Sequence, residues 1–146
     1  MSVGRICVRE VDTAGPKESA LDAARRMRER QVGALVVVDD QARPMGLVTD
    51  RDIAMRVVAG GREAAQTPVL DVMTPMPTAV LEDTSIESAL GHMRVGRMRR
   101  LPVVNGAGQL VGIITLDDVL ALLAEEFSLI GGLLEREAPQ RPIGKP

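Results

Sequence analysis

Residues 46–52 read Gly-Leu-Val-Thr-Asp-Arg-Asp, and 66 positions later residues 112–118 read Gly-Ile-Ile-Thr-Leu-Asp-Asp. Both segments are β-type runs that end in the pattern Gly-x-x-Thr-x-x-Asp. Aligned without a gap, positions 19–53 and 85–119 are identical at ten of 35 pairs, and most other pairs are both apolar or both polar. Self-similarity at a fixed spacing identifies a tandem repeat, so we expect each half of the chain to form the same unit.

The composition limits the size and the chemistry of the core. Each half holds only about 55 residues, close to the lower limit for a domain that buries its own core, so we expect the halves to share one. Hydrophobic residues make up 45% of the chain, but Trp and Tyr are absent and Phe127 is the only Phe. The core is therefore predicted to be aliphatic.

Charge and cysteine content exclude several classes of protein. A net charge of −2 argues against binding nucleic acid or an anionic membrane through bulk charge. The scarcity of aromatic residues also removes the stacking surface on which single-stranded nucleic acids are read. The single cysteine, Cys7, excludes an intrachain disulfide, and no apolar run reaches the 18 residues of a membrane span. We expect a soluble, unexported, cytoplasmic protein without membrane association.

The hydrophobic pattern of each half predicts the order β-α-β-β-α. In the first half we expect strands over 11–14, 34–38 and 45–49, a helix beginning after Ser19, and a second helix over 50–59. In the second half we expect strands over 78–81, 101–104 and 110–115, a helix that starts with a Thr84–Glu87 capping box, and a helix over 116–127. Continuous apolar runs such as 35–38 indicate strands buried on both faces.

The predicted boundaries follow the breakers between these elements. Repeat 1 covers residues 6–61 and ends at a Gly-Gly pair, residues 62–71 form a linker, and repeat 2 covers residues 72–127. Residues 128–137 can continue the last helix, although the Gly-Gly pair at 131–132 weakens it. Such a continuation would expose four apolar side chains to a partner: Leu129, Ile130, Leu133 and Leu134. The tail 138–146, with three prolines, is expected to be disordered.

The recurring Thr and Asp have two interpretations, which the residues leave open. In the first, Thr49 and Thr115 cap the helix that follows, and Asp52 and Asp118 interact with its positive end. In the second, each carboxylate accepts two hydrogen bonds from the 2′ and 3′ hydroxyls of a ribose, while the Thr hydroxyl and free backbone N–H groups face phosphate oxygens.

Several features together resemble a known family. They are the β-α-β-β-α order, the Val-Met-Thr-Pro opening at 72–75, the Leu-Pro-Val-Val strand at 101–104, and the recurring Gly-x-x-Thr-x-x-Asp. Residues 6–127 resemble a tandem pair of CBS domains, named for cystathionine β-synthase, in the arrangement called a Bateman module. The string Thr-Asp-Arg-Asp-Ile at 49–53 is similar to that of stand-alone bacterial two-CBS proteins. The resemblance implies an α/β (α+β) fold with two repeats related by a pseudo-twofold axis.

The resemblance also implies two clefts between the repeats that bind an adenosine ligand such as AMP, ADP, ATP, NAD or S-adenosylmethionine. Asp52 and Asp118 would hold the ribose hydroxyls, with Thr49 and Thr115 beside them at the phosphates. The residues that would line the base and phosphate ends are Val32, Gly33, Ala34, Met98, Arg99 and Arg100. Further positions that match ligand contacts in the family are Thr84, Ala89 and Ala23.

The two halves differ at the phosphate end. In nucleotide-binding relatives a His or Arg often stands three residues before the strand proline and contacts phosphate. Arg99 occupies this position in the second repeat, whereas the first repeat has Gly33 there and Arg51 as a candidate source of the missing charge. A single strong phosphate-dependent site is therefore predicted, rather than two equal ones.

The function predicted from the sequence is a regulatory module that binds an adenine nucleotide and signals to a partner protein or through rearrangement of a homodimer. The alternative is a structural or oligomerisation module with empty or relict clefts. An enzyme is disfavoured because the only histidine, His92, is expected on a helix surface, and Cys-x-x-Cys and paired-His metal patterns are absent from the sequence. No catalytic residue, required cofactor or metal site is predicted.

Overall fold

The computed structural model describes residues 1–76 and 78–137, and it confirms the predicted β-α-β-β-α order in both halves. The first half contains β1 (Thr13–Ala14), α1 (Ala20–Arg30), β2 (Ala34–Val38), β3 (Pro44–Thr49), α2 (Asp50–Asp52) and a π-helix (Ile53–Val58). The second half contains β4 (Thr74–Pro75), β5 (Val80–Leu81), α3 (Ile86–Gly96), β6 (Arg100–Val104), β7 (Leu110–Thr115) and α4 (Leu116–Glu137). Short 3₁₀ helices cover Val3–Arg5, Ala64–Gln66 and Val69–Asp71.

Each half is built on its own sheet. The first sheet has the order β1-β2-β3-β4 and the second has the order β5-β6-β7. In both, the short opening strand runs parallel to the middle strand, which pairs antiparallel with the next. The middle strands β2 and β6 are mostly buried, as their continuous apolar runs predicted.

The opening segment of each half lies on the other half. In the first half, β3 pairs with β4 of the second, with Leu47 opposite Thr74, and Val69 and Val72 are completely buried in the first core. In the second half, Val8 bridges to Ile113 of β7, and Val3 is completely buried in the second core. The prediction of one shared core is therefore wrong, because the described residues form two cores, each completed by a segment from the other half. We call these two segments, residues 3–8 and 69–75, the exchanged segments.

The recurring glycines are required by this exchange. A Cβ added at Gly46 would lie 2.6 Å from the backbone oxygen of Thr74 and 2.9 Å from the Met73 sulfur. A Cβ at Gly112 would lie 2.9 Å from both the Cys7 sulfur and the Val8 backbone oxygen. Real Cβ atoms do not approach other atoms this closely. Glycine at these two positions thus allows the exchanged segments to cross the sheets.

The residues that lead into the exchanged segments also fix where α1 and α3 begin. The first N–H of α1, from Ala20, donates to the carbonyl of Thr67, and that of α3, from Ile86, donates to the carbonyl of Met1. Ser19 caps α1 as predicted, accepting the Asp22 N–H. The prediction that Thr84 caps α3 is wrong by one residue. Ser85 is the cap and accepts the Ser88 N–H at 3.1 Å, because the carbonyl of Thr84 is occupied by the N–H of Val3.

The last helix of each half differs most from the prediction. The segment predicted as helix over 50–59 forms only α2, followed by a π-helix. The helix predicted over 116–127 continues to Glu137, which confirms the continuation through the Gly-Gly pair, while the predicted disordered tail 138–146 lies outside the described residues. In the part of the chain that the structure covers, no helix combines the length and apolarity that crossing a bilayer would need.

Candidate functional site

The two Thr–Asp pairs form helix caps, as the first interpretation of the motif predicted. Thr49 Oγ1 accepts the Asp52 N–H at 3.1 Å, and Asp52 Oδ2 accepts the Thr49 N–H at 3.0 Å. In the second half the corresponding distances are 3.1 Å and 2.8 Å. Each carboxylate has lone pairs to spare, because an ionised Asp offers about four acceptor positions. Capping and ligand binding are therefore compatible at these residues.

A cleft of about 300 Å³ opens beside Asp52, and we call it the Asp52 cleft. Its volume is at the lower end of the range of small-molecule sites. The first repeat contributes the end of β3 and the start of α2, and the second repeat contributes β4 and the beginning of β6. The lining residues are Leu47, Thr49, Asp52, Thr74, Pro75, Met76, Met98, Arg99 and Arg100.

A second cleft of about 250 Å³ opens beside Thr115, and we call it the Thr115 cleft. It has the same composite construction with the repeats interchanged, because the beginning of β2 faces the end of β7. The residues that line it are Glu10, Val11, Asp12, Val32, Gly33, Ala34, Val36, Leu47, Arg100, Ile113 and Thr115. Every cleft-lining position predicted at the beginnings of β2 and β6 thus lies in one of the two clefts.

The two clefts differ in charge. The Asp52 cleft is lined by two arginines, Arg99 and Arg100, and by one carboxylate residue, Asp52. The Thr115 cleft receives Arg100 against the carboxylates of Glu10 and Asp12, although Asp12 is paired with Arg30 at 2.8 Å. Positive charge therefore predominates only in the Asp52 cleft.

A third, polar pocket of about 260 Å³ lies at the start of α4 and is lined by Arg99, Arg100, Thr115, Leu116 and Asp117. Arg99 is only loosely held there, by an exposed ion pair with Asp117 at 3.3 Å. Exposed pairs of this kind contribute little to stability. Arg99 is thus free to contact an anion in the Asp52 cleft, and Arg100 lines all three cavities.

Asp52 has contacts that Asp118 does not share. Its Oδ1 accepts the Thr74 hydroxyl at 3.3 Å and lies 3.9 Å from a guanidinium nitrogen of Arg56. Arg56 also donates to the carbonyls of Val72 and Met73, both at 2.9 Å. In the second half, Asp118 Oδ2 accepts both the N–H and the hydroxyl of Thr115, at 2.8 Å and 2.9 Å. The first carboxylate is therefore connected to the exchanged segment, whereas the second is connected only to its own cap.

Five predicted site residues do not line the clefts. One of them is Asp118, since the Thr115 cleft is lined by Thr115 but not by the residue three positions later. Ala23 and Ala89 are completely buried, one in each core, and neither lines a cleft. Thr84 uses its backbone to anchor Val3 and Leu81. Arg51 lies exposed in α2 outside the lining of the Asp52 cleft. The cation that faces the Asp52 carboxylate from the first half is Arg56, which lies five residues after Arg51 in the chain.

The structure also adds residues that the sequence did not single out. Thr74, Pro75 and Met76 belong to the opening of the second repeat but line the cleft of Asp52. The Val-Met-Thr-Pro string was visible as a motif, yet its place depends on the pairing of β4 with β3. The signal that could have placed Thr74 is the 66-residue repeat itself. Val8 lies 66 residues before Thr74 and crosses β7 at the position that Thr74 occupies on β3.

Two reactive side chains lie apart from the clefts. His92 is exposed on α3, as predicted. Partial burial raises the pKa of the Cys7 thiol, where the exchanged segment crosses Gly112. Across residues 1–76 and 78–137, no three His, Cys, Asp or Glu side chains converge as a metal site would require.

Comparison with known proteins identifies the family. The model of the CBS domain matches residues 3–59 and residues 69–125. The chain therefore belongs to the CBS-domain family and contains two CBS repeats in the tandem arrangement of a Bateman module. The matched ranges include the exchanged segments that begin at Val3 and Val69, ahead of the boundaries predicted at residues 6 and 72.

Relatives and solved structures support this assignment. An uncharacterized protein of Methanopyrus kandleri is 36% identical over 120 residues, which is 82% of this chain and 61% of that protein. A putative signal-transduction protein with CBS domains from Burkholderia ambifaria has a TM-score of 0.71 at 31% identity, with 99% of this chain and 100% of that chain covered. CBSX2, solved in complex with AMP, has a TM-score of 0.72 at 26% identity, with 85% and 97% covered. The chain thus spans less than two thirds of the Methanopyrus relative.

Proposed function

We propose that the chain is a regulatory module that binds an adenine nucleotide, and that its phosphate-dependent site is the Asp52 cleft. The observation that carries this proposal is the meeting of Asp52 from one repeat with Arg99 and Arg100 from the other, around one cavity. The complex of CBSX2 with AMP supports the class of ligand.

The cleft offers suitable chemistry for each part of a nucleotide. The carboxylate of Asp52 accepts hydrogen bonds from the ribose hydroxyls, and a guanidinium presents its donors in a planar fork that matches phosphate oxygens. Leu47, Met76 and Met98 provide an apolar surface for the base. A phosphorylated ligand is disfavoured in the Thr115 cleft, where Gly33 replaces the arginine and two carboxylates face the cavity.

Calorimetric titration with AMP, ADP, ATP, NAD and S-adenosylmethionine tests this function. Because the chain has no Trp or Tyr, a 260 nm absorbance peak in the purified protein reports bound nucleotide almost alone. Arg99→Ala should weaken the phosphorylated ligand by about 1.5–3 kcal/mol, the range for a hydrogen bond to a charged group, and leave adenosine unaffected. Arg94→Ala is the matched control, because Arg94 is an exposed arginine on α3 outside the cleft lining. Equal losses for AMP and adenosine would contradict the role of Arg99.

A structural module with relict clefts is the second candidate, and the complete capping boxes of both repeats favour it. If capping is the only role of the motif, neither the parent nor Asp52→Asn should bind any of the ligands. Asp52→Asn should also be as stable as the parent, because an Asn oxygen also accepts the Thr49 N–H. Nucleotide binding that is lost in Asp52→Asn at unchanged stability supports the sensor instead.

Homodimer formation is the second part of the proposal. In α4 only Val119 is completely covered, whereas Leu120, Leu123, Phe127, Ile130 and Leu134 are exposed. These five residues follow alternating spacings of three and four, which is the pattern of a coiled-coil seam. A long apolar helix is marginal alone in water, so a second copy would stabilise it. Light scattering should give twice the monomer mass at micromolar concentration, and a monomer would contradict the proposal.

We further propose that nucleotide binding regulates a partner protein, that the chain catalyses no reaction itself, and that it acts in the cytoplasm. A ligand can shift a conformational equilibrium only by its differential affinity for the two states. A pull-down that uses the purified protein as bait, with and without 1 mM AMP, tests whether nucleotide binding changes the binding of a partner protein. A partner retained equally under both conditions would contradict regulation by this ligand.

A further inference from the structure

The two ribose-binding candidates differ in which carboxylate oxygens are already occupied. Asp52 accepts one hydrogen bond on each oxygen, from the Thr49 N–H on Oδ2 and from the Thr74 hydroxyl on Oδ1. Asp118 accepts two on Oδ2, both from Thr115. Within the described residues, Oδ1 of Asp118 has no hydrogen-bond partner. Since each oxygen has two lone pairs, Asp52 retains one on each oxygen, whereas Asp118 retains both on the same oxygen.

This difference matters for a vicinal diol. Two adjacent hydroxyls bind a carboxylate best when each donates to a different oxygen, in a bidentate arrangement. The arrangement at Asp52 leaves an acceptor on both oxygens and fixes the plane of the carboxylate from two sides. The arrangement at Asp118 leaves Oδ2 saturated, so both free acceptor positions lie on Oδ1 and a bidentate arrangement requires rearrangement.

The origin of the difference lies in the exchanged segments. Thr74 crosses β3 opposite Leu47, and the residue in the equivalent register of the second half is Val8, opposite Ile113. Val8 has no hydroxyl to donate. The guanidinium of Arg56 fixes the carbonyls of Val72 and Met73 immediately before Thr74, and its counterpart 66 residues later is Leu122.

We infer that Thr74 is a specificity-determining residue that makes the Asp52 cleft selective for ribose over 2′-deoxyribose. It acts by holding Asp52 Oδ1, and Arg56 acts as a positioning residue that holds the segment carrying Thr74. The inference deepens the proposed function and rests on it, because it presupposes a nucleoside in this cleft.

The sequence of the second half suggests which substitution at Thr74 to test. Thr74→Val gives the first half the residue that occupies the equivalent position in the second. Without the Thr74 donor, the Asp52 carboxylate is free to turn so that Thr49 donates twice to one oxygen, as Thr115 does to Asp118. The diol then finds both free acceptor positions on one oxygen and loses the bidentate arrangement.

The test compares AMP with 2′-deoxy-AMP by calorimetry, with Asp118→Asn as the background so that the second carboxylate carries no charge. The parent should prefer AMP, and Thr74→Val should reduce this preference about tenfold, which corresponds to one hydrogen bond to a charged group. Thr74→Ser restores the hydroxyl and should restore the preference. Arg56→Lys, which keeps the charge but loses the planar fork, should reduce it to a smaller extent.

Val8→Thr is the matched control, because it makes the reverse substitution in the other exchanged segment and should leave the preference of the Asp52 cleft unchanged. Thermal melting followed by circular dichroism identifies any variant that does not fold, and Thr74→Ala then replaces Thr74→Val. An unchanged preference in folded Thr74→Val or Thr74→Ala, or a Thr74→Ser variant as impaired as Thr74→Val, overturns the inference alone. Absence of AMP binding in the unmodified protein overturns the proposed function as well.

Discussion

Replacing Gly46 with Ala should separate the exchanged segment from the first sheet. The added Cβ would lie 2.6 Å from the Thr74 backbone oxygen and 2.9 Å from the Met73 sulfur. The sulfur belongs to a flexible side chain, but the oxygen belongs to β4 and can withdraw only if the strand moves. The cost combines overpacking, about 1–3 kcal/mol, with weakening of ladder hydrogen bonds at about 1 kcal/mol each. A gain of about 0.5–1 kcal/mol from the stiffer unfolded chain offsets part of it.

The expected net loss for Gly46→Ala is about 2–4 kcal/mol, a large part of the 5–15 kcal/mol typical of a folded domain. Urea unfolding followed by far-ultraviolet circular dichroism measures it, since the chain has no Trp or Tyr for intrinsic fluorescence. Gly91→Ala is the matched control: Gly91 lies in α3 with open space around its Cβ position, so the change should stabilise by about 0.5–1 kcal/mol. Equal stabilities of the two variants would refute the crossing-segment argument.

Three further perturbations test other parts of the structure. The hydrogen bond from the Arg26 guanidinium holds the pKa of the Glu18 carboxyl below its ordinary value of 4.5. Glu18 therefore stabilises the fold above about pH 4.5, and this contribution is lost as the pH falls through its native pKa. Glu18→Gln should therefore cost about 1 kcal/mol at pH 7 in urea unfolding, and the cost should shrink as the pH falls below 4.5. A cost that stays the same across the acid range would contradict the assignment. Ala42 has a φ of +61° where the repeat has Gly108 at +79°, so Ala42→Gly should gain about 0.5 kcal/mol, the left-handed strain less the entropy cost; a loss of stability would show that the turn is not strained. Phe127→Asp introduces a charge on the exposed apolar seam of α4 and should give a folded monomer by light scattering and circular dichroism. Its melting temperature should be lower because the second copy no longer covers α4, whereas an unchanged dimer would place the interface elsewhere.

Much of the fold could be predicted because local signals agreed with the tertiary structure. The strands predicted over 34–38 and 110–115 have the observed bounds, and the apolar run of the first is buried at its three central residues. The cap of α3 was misplaced by one residue because Thr84 and Ser85 are equally good capping residues locally. The choice between them is made by the N–H of Val3, which is remote in the sequence and donates to the carbonyl of Thr84.

Part of the candidate site could also be predicted, because local signals agreed with the tertiary structure there. Thr49, Asp52, Thr115 and Asp118 are visible because the motif is duplicated, and their capping geometry depends only on neighbours three residues away. Ala23 and Ala89 also recur, but recurrence does not distinguish a buried core position from a ligand contact. The partners of Asp52 depend on pairings over long distances in the chain, which a motif of seven residues does not encode.

The amino-acid sequence alone established a duplicated β-α-β-β-α unit, its family and its polar strand ends, because periodicity and a 66-residue repeat are properties of the linear chain. Folding assigned Arg99 to the cleft of Asp52, because the beginning of a strand in one repeat faces the end of a strand in the other. It also brought Thr74, but not its counterpart Val8, to a carboxylate. The inequality of the clefts therefore arises from contacts between the repeats, where small sequence differences act on residues that are identical in both.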